Sequence, residues 1–178
     1  MTAGWVAGGV RGRLLTLRRL GLGGAREVAA AGALAPAVAL VARSAYGRDV
    51  RVGDALEDAR RGVGAACLWH LRVLAGWLPA SGGETARVFA SRFEIDNIVE
   101  RLASSAGVGT PAPYDLGALA VAWPRVRAAS TVEDARAVLG RSAWGDPGDV
   151  GAAVPETPRW PCACFGFPTS SIFSSIPA

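Results

Sequence analysis

Lysine and glutamine are missing from this chain: all 19 of its positively charged side chains are arginine. Without lysine there is no phosphate loop of the Walker type, whose lysine reaches the terminal phosphates, and no amine that forms a Schiff base. With one histidine, His70, any Ser-His-Asp or Cys-His device has to be built around that residue. Three cysteines are too few for a disulfide framework. Cys162 and Cys164 form a Cys-x-Cys pair, but no second pair follows at zinc-site spacing. The chain therefore reads as intracellular, with no metal and no cofactor expected.

Long apolar runs are scarce as well. The longest helix-like uncharged stretch, Val28 to Ala42, spans 15 residues and contains Pro36, whereas a membrane-spanning helix wants about 20. Arg11, Arg13, Arg18 and Arg19 interrupt the region where a secretory signal needs an unbroken apolar core. No acidic residue occurs before Glu27. The abundance of alanine, glycine and arginine reads as the residue bias of GC-rich coding DNA, and the formal charge of +4 is modest.

At 178 residues the chain has the length of one ordinary domain, and a fold near ~150 residues already buries about 70% of its unfolded surface. Its clearest internal pattern is a repeat. The segment from Ala31 to Gly47 returns 98 residues later as Ala129 to Gly145, with seven identities in 17 positions. Four of these are alanines, so the weight rests on Arg43-Ser44-Ala45-Tyr46-Gly47 against Arg141-Ser142-Ala143-Trp144-Gly145. Helix-stop chemistry explains the glycines but not the arginine and serine before each aromatic. We expect an internal duplication in which Leu40/Val138 and Tyr46/Trp144 are buried on matching sides. Arg43 and Arg141 then serve as exposed interaction or lobe-stabilising residues.

The rest reads as helix throughout. Val10, Leu14 and Leu17 share one face of a first helix, expected to be its buried face, which Gly21 to Gly24 then stop. A second helix is predicted from Ala25 to Arg43, kinked or divided at Pro36. Asp54 and Glu57 form a capping-box-like start for an apolar helix from Ala55 to Leu78, ended by Pro79 and the Gly82-Gly83 pair. Within it, Cys67 and His70 share a face, as a core cysteine beside a core histidine. Another helix from Glu84 to Arg92 continues through Phe93, Ile95, Ile98 and Leu102. Gly107 to Pro113 reads as a loop, Tyr114 to Trp123 as a short helix closed by Pro124, and Ser130 with Glu133 opens the last helix. Period-two alternation is absent, so the fold class is all-α: a helical bundle of two related lobes over residues 1–150.

The remainder, 151–178, changes character. After Arg159 come 19 uncharged residues holding Cys162, Cys164, three of the five phenylalanines and Pro161, Pro168 and Pro177. That density of proline suits an unpacked or aberrant tail, such as a shift of reading frame would produce.

The most specific string is Phe93-Glu94-Ile95-Asp96-Asn97-Ile98. It resembles the acidic-Ile-acidic-Asn-Ile segment of the central-stalk socket component of V/A-type rotary ATPases of archaea and bacteria, lettered C there and d in the vacuolar ATPase. Ala45-Tyr46-Gly47 after an apolar helix resembles that family's recurring helix end, and Val10-Arg11-Gly12-Arg13-Leu14-Leu15 its opening helix. The resemblance runs in order from Val10 to about Pro147. Val99 stands where the family commonly has lysine, and Ser44 stands near its usual threonine. The short length implies a truncated or reduced member of a multi-lobe funnel fold.

The resemblance implies a non-catalytic socket on the cytoplasmic face of the membrane, peripheral to it. There it couples the rotor-stalk subunits to the proton- or sodium-carrying ring subunits. Asp96 and Asn97 are expected to cap a following helix, and Tyr46 and Trp144 to cover core. Two other classes compete: a small helical enzyme using His70, Asp96 or Glu94 in a converging pocket, and an arginine-rich nucleic-acid binder using Arg11 to Arg19. The second lacks aromatic or amide side chains interleaved with the arginines, so no nucleic-acid partner is expected.

Deleting residues 160–178 is expected to leave the midpoint of a urea melt nearly unchanged, because unpacked termini carry few buried contacts. A loss of several kcal/mol would instead make the tail part of the core.

Overall fold

The computed structural model describes residues 3–103 and 111–145, and among these it contains helices and turns but no strand. The expected loop from 107 to 110, the tail at 151–178, Cys162 and Cys164 lie outside the described residues. The all-α class holds. In order, the elements are α1 (Ala3–Leu17), α2 (Gly21–Ala29), α3 (Leu34–Ala42), α4 (Leu56–Ala75), α5 (Ala80–Ala103), a 3-10 turn (Gly117–Leu119), α6 (Trp123–Ala128) and α7 (Val132–Gly140).

The described residues group into two compact units, one of residues 3–97 and 111–120, the other of 98–103 and 121–145. In the first unit Val38, Val50 and Ala59 form a small core against which Val41, Tyr46 and Val63 pack. α5 turns Ala86, Ala90 and Phe93 inward. In the second unit the buried residues are Ile98, Leu102, Ala122, Trp123, Val126, Ala135, Leu139 and Trp144. α6 and α7 pack on each other there.

Glycine sets how closely several helices approach. On α1, Gly4, Gly8 and Gly12 recur every four residues and so share one face. A Cβ on Gly4 would lie 3.3 Å from Pro79 Cδ, one on Gly8 2.4 Å from Leu78 Cδ2, and one on Gly12 4.0 Å from Leu74 Cδ1. α1 thus packs on the end of α4 through its glycines. This reverses the expectation for Val10, Leu14 and Leu17, which are 57%, 50% and 81% exposed. The face with no side chains permits the closest backbone approach, and the aliphatic face is left outside.

Other breaks also fall elsewhere than proline and glycine spacing implied. α1 ends at Leu17, and Gly21 opens α2 in the left-handed conformation, φ 69°, with Gly23 and Gly24 inside the helix. The gap between α2 and α3 is made at Gly32, φ 70°. Pro36 lies in the first turn of α3, where a missing N–H costs nothing. Asp54 accepts from the Arg51 N–H at 2.7 Å, and the N-cap of α4 is Ala55, which makes no side-chain cap bond. Gly82 and Gly83 lie within α5. Tyr114 to Trp123 holds the 3-10 turn, and Pro124 opens α6 instead of closing a helix before it. Thr131, one residue after Ser130, caps α7 by accepting from the Asp134 N–H at 3.0 Å.

Asp96 and Asn97 cap nothing, because α5 runs unbroken through both. Asn97 instead clamps the chain beyond the loop. Its amide nitrogen donates to the Tyr114 carbonyl at 2.9 Å, and its amide oxygen accepts from the Tyr114 N–H at 2.7 Å. Phe93 meets the Tyr114 ring edge-on, with centroids 5.1 Å apart. Arg61 lies over that ring at 4.4 Å and donates to the Ala112 carbonyl at 2.9 Å. Asn97→Ala removes both partners of the Tyr114 backbone and is expected to cost about 2–4 kcal/mol in a urea unfolding measurement.

Candidate functional site

The two halves of the repeat build the same local structure, each in its own unit. α3 and α7 are nine residues long and begin and end at equivalent positions. At the first end, the Ser44 hydroxyl donates to the Val41 carbonyl at 2.6 Å and accepts from the Tyr46 N–H at 3.3 Å. At the second, the Ser142 hydroxyl donates to the Leu139 carbonyl at 2.8 Å and accepts from the Trp144 N–H at 3.1 Å. Each serine thereby closes the helix and turns the chain so that the aromatic folds back. Leu40 and Val138 are both half-buried, Tyr46 is half-buried and Trp144 is buried. Arg43 and Arg141 occupy the C-cap of their helices and are exposed. Among the described residues no ion pair holds either one.

The glycines that follow differ in physical cause. Gly145 has φ 72°, a left-handed turn. Gly47 does not; there a Cβ would lie 2.0 Å from the Ala42 carbonyl oxygen, so close approach to the main chain excludes a side chain.

The residues of a catalytic reading do not converge. Glu94 is fully buried on α5, with Asn97 beside it in the next turn. Neither Glu94 nor Asp96 is in the lining of the His70 cleft, nor of the two larger clefts beside Arg61 and Arg72. His70 is not a core histidine, nor Cys67 a core cysteine: Cys67 is exposed and His70 half-buried. On α4 Ala66, one turn before His70, is buried, so His70 stands at the edge of the inward side, while Cys67 lies outside it.

His70 lines a cleft of about 340 Å³ with Arg18, Ala45, Arg48, Asp49, Ala66 and Trp69. Arg48 lies over the Trp69 ring at 4.8 Å, and Trp69 and His70 have centroids 5.2 Å apart. The cleft is basic. Burial lowers the His70 pKa from its ordinary 6.5, the Arg18, Arg11 and Arg48 guanidiniums lower it further, and Asp49 opposes them. Periodicity did not disclose this grouping, because it joins the turn after α1, the turn after α3, and α4. A second cleft of about 500 Å³ sets Arg48, Arg51 and Arg61 among Asp49, Asp54, Asp58 and Asp115. Its charges are mixed, with Asp115 paired to Arg72 outside the lining, and they single out no reacting group. Among the described residues no three His, Cys, Asp or Glu side chains are grouped to hold a metal. No helix among them is long and apolar enough to cross a membrane.

No family model matches the chain, and neither a curated protein nor a solved structure is significantly similar to it. The resemblance to the rotary-ATPase socket therefore stands on its short segments alone.

A histidine whose folded pKa lies below its unfolded value binds its proton first in the unfolded chain. Stability should then fall as pH drops through 6.5 toward the folded pKa and level off below it. Urea melts between neutral and mildly acidic pH check this: His70→Gln should flatten that part of the profile, and an unchanged slope would place its origin elsewhere.

Proposed function

We propose that this chain is a non-catalytic helical module that binds other proteins through the exposed ends of α3 and α7. In its specific form it is the coupling socket of a rotary ATPase, between the rotor stalk and the membrane ring. The observation that carries the general reading is the matched pair of helix ends. Each presents an exposed arginine at a C-cap whose closure is already accomplished by the serine beside it. The fold makes no demand on these arginines, and a planar guanidinium suits bidentate pairing with carboxylates of a partner. Scattering of His70, Glu94 and Asp96 supports the same reading, since no nucleophile, base and binding cleft come together from them. The specific form, with its peripheral place at the cytoplasmic face of the membrane, rests on the resemblance of Phe93 to Ile98 and the two shorter segments.

Affinity purification of the full tagged chain tests both levels. Recovery of ATPase catalytic and ring subunits, reduced by Arg43→Ala or Arg141→Ala, is the expected outcome. Recovery of neither kind refutes the socket, and arginine variants that leave every recovered partner at full level refute the role of the helix ends. The socket needs no nucleotide of its own, so calorimetric titration with ATP and magnesium should show no binding. Micromolar affinity would remove it.

A further inference from the structure

We propose that α1 and the start of α2 form a docking face that lies in the plane of an anionic phospholipid surface. The face goes beyond the protein-binding reading and uses different residues. Val6, Val10, Leu14 and Leu17 follow one another at spacings of four, four and three, so they share one side of α1. All are at least half exposed, as is Leu22 on α2, and Trp5 is 45% exposed. The stripe from Val6 to Leu17 extends about 16 Å along the helix at 1.5 Å per residue. It cannot turn inward, because the opposite side is the glycine face seated on Leu74, Leu78 and Pro79.

Charge identifies the occupant. Arg13 on α1, Arg18 and Arg19 in the turn that joins it to α2, and Arg26 on α2 are all exposed, and the first 26 residues contain no acid. A surface that covers this face must accept aliphatic side chains and supply negative charge along their border. The headgroup boundary of an anionic bilayer does both: leucines and valines enter the acyl region while guanidiniums extend to the phosphates. Tryptophan has the same divided character and settles at that boundary. Nucleic acid would satisfy the arginines but leave the aliphatic stripe in water.

The test uses the full chain and sedimentation with vesicles of phosphatidylcholine alone, or with a third of the lipid replaced by phosphatidylglycerol. The chain should pellet with the anionic vesicles, not with the neutral ones. Partition should fall about tenfold in the double variant Leu14→Glu/Leu17→Glu, and about tenfold in Arg18→Glu/Arg19→Glu. Val52→Glu, at a position 71% exposed in the turn before α4, should bind as the parent does. Circular dichroism confirms that each variant is folded; if the leucine variant is not, the arginine variant carries the test. The proposal is overturned by absence of partition, by equal partition onto neutral vesicles, or by an equal loss in Val52→Glu. It is also overturned if the parent is a lipid-free dimer that Leu14→Glu/Leu17→Glu converts to monomer, since a second copy then covers the face. Because the vesicles contain only lipid, failure here leaves the protein-binding reading standing, and failure to recover partners leaves this one standing.

Discussion

Glycine facing aliphatic side chains is the contact on which the first unit depends. Gly8 on α1 and Gly82 on α5 both face Leu78, where added Cβ atoms would lie 2.4 and 2.8 Å from the leucine side chain. Gly62 on α4 approaches the main chain more closely still, with a Cβ position 2.3 Å from the Asp49 carbonyl oxygen. One leucine thus fills space against two helices, and the backbones come near enough for dispersion forces to act over many atoms. An alanine- and glycine-rich chain can build a core this way with few large side chains. The cost falls on the surface, where the aliphatic residues of α1 remain.

The same inversion decides what was legible in the sequence. Helix content was, because three-to-four spacing survives any packing arrangement, and α4 and α7 begin within a residue or two of their expected starts although neither expected capping residue makes the cap. Facing was not. Reading the aliphatic side of α1 as buried follows the usual rule that apolar residues go inside. That rule assumes the alternative face is polar, and here the alternative face is Gly4, Gly8 and Gly12. Glycine breaks were misread for a related reason. Gly82 and Gly83 look like a helix stop, yet inside a helix held by tertiary contacts a glycine is tolerated, and Gly82 is there because Leu78 leaves no room.

Polar residues in the Phe93 to Ile98 string show the limit of a short motif. Asn97 is consumed by the Tyr114 backbone, and Glu94 is wholly buried. Buried amides are kept where two backbone groups would otherwise lose their partners, and this alone suffices to hold an asparagine in place. The string therefore carries a structural explanation within this chain, whatever protein it resembles. The basic cleft at His70 is the converse case: no linear pattern announces it, since it gathers side chains from three separated segments.

The repeat separates what the fold requires from what it leaves unassigned. Ser44 and Ser142 are accounted for by two local hydrogen bonds each, and Tyr46 and Trp144 by burial. Gly47 and Gly145 are accounted for as well, by unlike causes: close approach at one end, a positive φ at the other. The two helix ends therefore do not share the cause of their glycine. They share the arginine, which lies exposed at both C-caps and whose helix is closed without it. A favourable field from the last carbonyls acts on any cation at such a position and is worth only about 0.3–1 kcal/mol where exposed. That is too general to select the same residue in the same register before the same serine. Of the five positions common to both ends, the arginine and the alanine after the serine lie exposed, and of these two only the arginine carries a charged, hydrogen-bonding group on which a partner can act.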